Sequence, residues 1–212
     1  MKKVSVSFFN STNIEEDLIN LCDTDVDYIH VDVWDGKFIE RKFNPVKELK
    51  SLDGALTKRL DVHFMVEDPT SYINEYSELN CEYITIHCEL KKDILSILDL
   101  IKRYGIKCGL SISPDTDISF LEPFLDDIDM ILIMSVVPGK GGQKFIYSSV
   151  ERVKEIKSMI GDRDIVISID GGINNETAKL VDTDIVVSGS YVLGSDDIAR
   201  NISLLRWLYE EV

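Results

Sequence analysis

The chain has 212 residues, 44% of them hydrophobic, with 38 Asp and Glu against 23 Lys and Arg and a net charge of −15. That length buries about 70% of the unfolded surface, enough for a large core without staples. The acidity argues against nucleic acid as a bulk partner, because phosphate-backbone binding wants a basic face. A small anionic substrate needs only a few local donors and is not excluded.

No apolar stretch approaches the ~20 residues of a membrane helix, so no membrane partner is expected. Met1-Lys2-Lys3 leads straight into Val4–Phe9 with no convincing signal-peptide cleavage site. Cys22, Cys81, Cys88 and Cys108 form no C-x-x-C pair. Reduced, buried thiols and a cytoplasmic location are expected.

Apolar runs rich in Val and Ile predict strands near residues 3–8, 27–34, 59–65, 82–88, 106–112, 129–135, 165–170 and 184–188. Helical patterns fall between them. Asn13 is placed to cap 14–22, Pro45 to open the next helix in its first turn, and Pro69 to open 70–79. Ile94, Leu95, Leu98 and Ile101 carry the helical period through 91–104, and further helices fit 118–125, 146–159, 175–182 and 196–211. Gly105 and Gly161 stand where helices should stop. Strict alternation implies a parallel sheet with helical crossovers. Eight units in 212 residues favour a closed α/β architecture, a (β/α)8 TIM barrel, as one domain over residues 1–212.

Two pairs stand out on the predicted strands: His30-Val31-Asp32 and Asp61-Val62-His63. Residues i and i+2 of a strand share a face, so each pair projects an imidazole and a carboxylate together. On 28–34 the parity turns Tyr28, His30, Asp32 and Trp34 inward; on 60–65 it turns Asp61, His63 and Met65 inward. Asp170 is the acid of the apolar run 165–170. His30, Asp32, His63 and Asp170 together form a two-His, two-carboxylate set suited to Zn2+, Fe2+, Mn2+ or Co2+. A buried carboxylate costs several kcal/mol if unpaired, roughly, and a metal offsets that cost. Buried His–Asp hydrogen bonds without metal explain either pair alone, but three strands ending at one mouth favour the metal. His87 also faces inward and reads as a polar mouth residue with a hydrogen bond. Trp34, Met65 and Met134 read as core at the inner strand ends, where they would also exclude water.

Glycines cluster after the last three strands: Gly139, Gly141 and Gly142, then Gly171 and Gly172, then Gly189 with Ser190. A single such glycine is usually a tight turn. Three sites on successive strand ends offer backbone N–H groups to an anion, and barrel phosphate sites use the loops after strands seven and eight. A phosphorylated substrate follows.

With these residues in hand, the chain resembles the ribulose-phosphate 3-epimerase family. The resemblance rests on Val4-Ser-Val-Ser7, Ile29-His-Val-Asp-Val-Trp-Asp-Gly36, Leu60-Asp-Val-His-Phe-Met-Val66 with Pro69, Ile84-Thr-Ile-His87, Met134-Ser-Val-Val-Pro-Gly139 with Gly141-Gly-Gln143, Ile169-Asp-Gly-Gly-Ile173 and Ser188-Gly-Ser190. These run in the family's order along nearly the whole chain. The resemblance implies one divalent metal held by His30, Asp32, His63 and Asp170, with Asp32 and Asp170 as the two acid–base residues. It implies that Ser7 and His63 touch the sugar, and that the glycines and Ser190 hold substrate, the last loops at its phosphate. It implies a homo-oligomer of carbohydrate metabolism, in the pentose phosphate pathway. The expected reaction interconverts D-ribulose 5-phosphate and D-xylulose 5-phosphate through an enediolate. The alternatives are 3-epimerisation of a hexulose phosphate such as allulose 6-phosphate, or a phosphosugar-binding paralogue without turnover. Trp34, Lys140, Glu40-Arg-Lys42 and Phe8-Phe9-Asn10 depart from the family's pattern, around the substrate and not in the metal set.

Overall fold

The computed structural model describes residues 1–52, 54–139 and 142–206. Its strands are β1 (Lys3–Ser7), β2 (Tyr28–Asp35), β3 (Lys42–Phe43), β4 (Arg59–Met65), β5 (Cys81–His87), β6 (Lys107–Ile112), β7 (Met130–Met134), β8 (Val166–Asp170) and β9 (Ile185–Ser188). The helices are α1 (Ile14–Cys22), α2 (Val46–Ser51), α3 (Thr70–Tyr76), α4 (Ile94–Arg103), α5 (Ser149–Ile160), α6 (Ser190–Leu193) and α7 (Ile198–Arg206). All strands but β3 run parallel, and β1 pairs with both β2 and β9, closing the expected eight-stranded (β/α)8 barrel. β3 is an unpredicted two-residue strand, antiparallel to β2, that sets Phe43 opposite Trp34 at the mouth.

Strand parity sorts the two faces. Val31, Val33, Val62, Phe64, Ile84 and Ile86 face outward into the layer beneath the helices and are fully buried. Each such side chain contributes about 1.5–3 kcal/mol by leaving water. Inside the barrel, Tyr28, Tyr83, Met130 and Ile185 plug the base. Leu132, Met134, Val136 and Val187 form a second apolar layer nearer the mouth. Between and beside these layers the interior is polar: Ser5, His30, Asp32, Asp61, His63, His87 and Ser111 are all buried.

Helix starts follow local chemistry. Asn13 caps α1 through the Glu16 amide, and Asp93 caps α4 through the Ser96 amide. Pro45 sits in the capping position and not in the first turn, and Pro69 immediately precedes the helix that begins at Thr70, as the predicted bounds have it. Gly105 (φ +72°) and Gly161 (φ +59°) end α4 and α5 in a backbone region that favours glycine. Three predicted helices differ from expectation, and the first of them, 70–79, ends at Tyr76. Residues Ile118–Phe124 form a 3-10 helix with Pro123 inside it, which removes a backbone donor. Of 175–182 only the 3-10 turn Thr177–Lys179 is helical. There the Asn174 side chain accepts from the Glu176 and Thr177 amides, and Thr177 donates to the Gly172 carbonyl. Such side-chain bonds compete with helix formation. Among the described residues, no helix is long and apolar enough to cross a membrane.

Candidate active site

Register brings the predicted residues together. β2 and β4 pair so that His30 lies beside Asp61 and Asp32 beside His63, while β7 and β8 set Met134 beside Asp170. His30, Asp32, His63 and Asp170 then each offer one ligand atom, all within 4.8 Å of one another. His30 Nε2 lies 3.6 Å from Asp32 Oδ1 and 4.0 Å from Asp170 Oδ2, and His63 Nδ1 lies 3.6 Å from Asp32 Oδ1. These are too long for hydrogen bonds. They suit donors around a common centre, since ligands about 2.1 Å from an ion at tetrahedral angles stand roughly 3.4 Å apart. His30 Nε2 and His63 Nδ1 are buried and have no hydrogen-bond partner. Two bare imidazole nitrogens facing two carboxylates fit a divalent cation.

The other nitrogen of each imidazole is engaged. His30 Nδ1 is 2.9 Å from Asp61 Oδ2, which also accepts from Ser5 Oγ at 2.8 Å. Asp61 therefore serves His30 and not the cluster itself. His63 Nε2 meets His87 Nε2 at 3.0 Å and Ser111 Oγ at 3.2 Å. His87 is buried and hydrogen-bonded, as its inward parity predicts, and its Nδ1 reaches Glu89 Oε2 at 2.9 Å. Sequence reading gave Glu89 no role and missed the partnership of Asp61 with His30. The same i, i+2 spacing in His87-Cys-Glu89 was the available signal for the first; the second depends on register.

Electrostatics separates the two acids. Burial pushes the Asp32 carboxyl up, but the imidazoles of His30 and His63 outweigh it and hold Asp32 well below the usual carboxylate range. Burial pushes Asp170 the other way, well above its ordinary value, although its side chain keeps 19% exposure at the cavity wall. Burial lowers His30 but Asp61 and Asp32 reverse this, so it binds its proton far more firmly than usual. His63 is lowered to about 4, chiefly by burial, and is neutral near pH 7. Burial would raise Glu89, but His87, the Ser113 amide and Thr116 hold it at about 2.

Above the cluster opens a cavity of about 470 Å³. Ser7, Asp32 and Asp170 line it, with Gly139, Gly142, Gly171, Gly172, Gly189 and Ser190; Gly141 and Lys140 lie outside the described residues. Ser7 Oγ donates to Asp32 Oδ2 at 2.8 Å. Gly171 (φ +123°) and Gly172 (φ +65°) are forced by space as well as conformation. A Cβ would lie 2.5 Å from Val136 Cγ2 at the first and 2.5 Å from the Phe145 nitrogen at the second. Exposed Lys144, which sequence reading passed over, is the only cation among the described lining residues.

A family model described as the ribulose-phosphate 3 epimerase family matches residues 3–193. The chain belongs to the ribulose-phosphate 3-epimerase family. It is 37% identical over 186 residues to the ribulose-phosphate 3-epimerase of Bacillus subtilis, covering 85% of this chain and 86% of that one. It is 33% identical over 213 residues to that of Methanocaldococcus jannaschii, covering 97% and 90%. The crystal structure of 3-hexulose-6-phosphate synthase from Salmonella typhimurium superposes with a TM-score of 0.70 at 20% identity over 96% of each chain, a likeness of fold alone.

Trp34, Phe9 and Arg41, expected from the sequence to depart from the family's pattern, meet on one side of the mouth. Trp34 meets Phe9 edge-on at 5.1 Å between ring centroids and Phe43 at 5.7 Å. The Arg41 guanidinium lies 4.9 Å from the Trp34 ring and its Nη1 donates to the Gly139 carbonyl at 3.3 Å. Ile39 packs where a Cβ on Gly139 would come within 2.7 Å of its Cδ1. The loop after β2 thus touches the glycine loop after β7 across the opening.

Proposed function

We propose that this chain, acting as one barrel domain, is an isomerase that interconverts D-ribulose 5-phosphate and D-xylulose 5-phosphate by inverting C3. The observation that carries the reading is the pair of acids. Asp32 and Asp170 line the same cavity, and their surroundings drive their proton affinities apart. Inverting a carbon next to a ketone needs a carboxylate to take a proton from one face and a carboxylic acid to return one to the other. Without a cation, the imidazoles favour the ionised form of Asp32 and burial favours the protonated form of Asp170, which biases the first to accept and the second to donate; reversal of the roles serves the opposite direction.

His30, Asp32, His63 and Asp170 would hold one divalent cation, Zn2+, Fe2+, Mn2+ or Co2+, a choice the donor types leave open. Such a cation, when bound, supplies Lewis acidity that stabilises an enediolate. Ser7, hydrogen-bonded to Asp32, keeps that carboxylate oriented and stands where a sugar hydroxyl can reach it. Met65, Met134 and Val136 line the wall and exclude water from the reacting centre. Backbone N–H groups at Gly171-Gly172 and Gly189-Ser190, with the Lys144 ammonium, would receive the phosphate; Gly139 and Gly142 would border the sugar.

The test is proton exchange at C3 in deuterated water with cation-loaded protein. Deuterium should enter C3 of either pentulose phosphate. Binding without exchange would leave a sugar-phosphate receptor and end the enzyme reading. Side-by-side kcat/KM values against a hexulose 6-phosphate decide substrate length, and an advantage for the hexulose would move the assignment.

A further inference from the structure

His63 reaches the His–Asp cluster through Nδ1, the nitrogen nearer its own backbone, whereas His30 reaches it through Nε2. A neutral imidazole carries one proton, and the nitrogen facing a cation must be bare. Something must therefore hold the His63 proton on Nε2.

The chain of contacts behind His63 does this. Glu89 Oε1 accepts from the Ser113 amide at 2.7 Å and from Thr116 Oγ at 2.7 Å, which leaves Oε2 for His87. The segment that carries these donors is itself tied down, since Arg152 of α5 donates to the carbonyls of Ser113, Pro114 and Thr116. A carboxylate only accepts, so the proton of His87 sits on Nδ1 and its Nε2 presents a lone pair. That lone pair, 3.0 Å away, asks His63 Nε2 to donate. Ser111 agrees: its hydroxyl leans on the Ile86 carbonyl at 3.5 Å and turns an oxygen lone pair towards His63 Nε2. The near-parallel rings of His63 and His87, 26° apart, keep the two nitrogens facing.

We propose that Glu89 and His87 are positioning residues, a relay that fixes the tautomer of His63 and so turns its Nδ1 lone pair into the His–Asp cluster. The relay rests on the reading of that cluster as a cation site. Neither residue is among the described residues that line the cavity, and both act through His63. Metal-binding imidazoles commonly depend on such outer partners, whose loss weakens the site 10–100-fold, roughly.

The decisive variant is Glu89→Gln. Its amide oxygen must stay with the Ser113 N–H, which can only donate, so its NH2 turns to His87 Nδ1. His87 then donates from Nε2, His63 Nε2 must accept, and the proton moves to His63 Nδ1. In contrast, His87→Gln keeps an acceptor facing His63 Nε2, whereas His87→Leu removes it.

Metal-free protein labelled with 15N-histidine reports this directly, because the chain has only 3 histidines. The wild type should show His63 protonated on Nε2 and bare on Nδ1, and Glu89→Gln should show the reverse. Zn2+ affinity, read by chelator competition, should fall about 10–100-fold in Glu89→Gln and in His87→Leu, and stay within about threefold in His87→Gln. A wild-type His63 protonated on Nδ1 overturns the relay. So does a Glu89→Gln protein with unchanged nitrogen shifts and affinity. If Glu89→Gln does not fold, the His87 pair decides: equal Zn2+ affinity in Gln and Leu overturns the relay. Wild-type protein that takes up no Zn2+ sinks the metal reading instead, while the nitrogen shifts still judge the relay.

Discussion

At the floor of the mouth every imidazole nitrogen but two has a hydrogen-bond partner, and those two face a pair of carboxylates. At the rim, Trp34, Phe9, Phe43 and Arg41 meet through ring faces and edges, and a polar contact from Arg41 to the Gly139 carbonyl crosses the opening. The floor is directional chemistry, intolerant of a changed donor or acceptor. The rim is shape, which adapts. Trp34, Phe9 and Arg41, expected from the sequence to depart from the family's pattern, fall at the rim, and the expected metal set lies on the floor, which fits a floor that carries the reaction and a rim that adjusts what enters.

The largest effect should come from the floor. Asp32→Asn or Asp170→Asn should lower kcat by about 10²–10⁴-fold, the usual contribution of a positioned acid or base. Zn2+ binding should weaken in the same proteins, measured by chelator competition. Near-native turnover in either variant breaks the distinction between floor and rim. Next comes pH. His30 holds its proton well above an ordinary 6.5, and Asp170 well above 3.8. Raised values mean that protons occupy these ligands at lower pH and leave as pH rises. Apparent Zn2+ affinity should therefore climb through neutrality, about tenfold per pH unit for each proton displaced. A flat titration profile would show that these groups do not face the ion.

Rim changes should be smaller and of another kind. Trp34→Met should alter kcat/KM by roughly tenfold at most while leaving Zn2+ affinity unchanged, because it reshapes the wall without touching a ligand. Arg41→Ala removes a cation–π contact worth about 0.5–1 kcal/mol at an exposed site, so KM should rise about two- to fivefold with kcat unchanged. A large fall in kcat from either would mean that the rim takes part in proton transfer, and the comparison would need redrawing.

The floor was the more legible of the two from sequence. Parity alone turns His30, Asp32, His63 and His87 inward, and alternation of strands and helices gives the barrel that joins them. Pairwise partnership was not legible. Asp61 has the same parity as His63, yet the β2–β4 register sets it beside His30. His87 reads as a hydrogen-bonded mouth residue, but its partner His63 stands on another strand, 24 residues away. The short helices failed for local reasons: Pro123 removes a donor, and Asn174 and Thr177 satisfy the backbone with side chains. The rim departures were visible as single residues at 8–10, 34 and 40–42. Their meeting in space needed β3, whose two residues are too few to announce a strand.

The apolar plug of Tyr28, Tyr83, Met130 and Ile185 has one further consequence. It closes the base of the barrel, so that the cavity above the cluster opens at the mouth. His30 and His63 are fully buried beneath the cavity, whereas Asp32 and Asp170 form part of its wall. On the proposed reading, an ion held there would sit deeper than the sugar and share its entrance. Traffic would then be ordered: the ion first in, last out, and sealed in for as long as a substrate stands in the door.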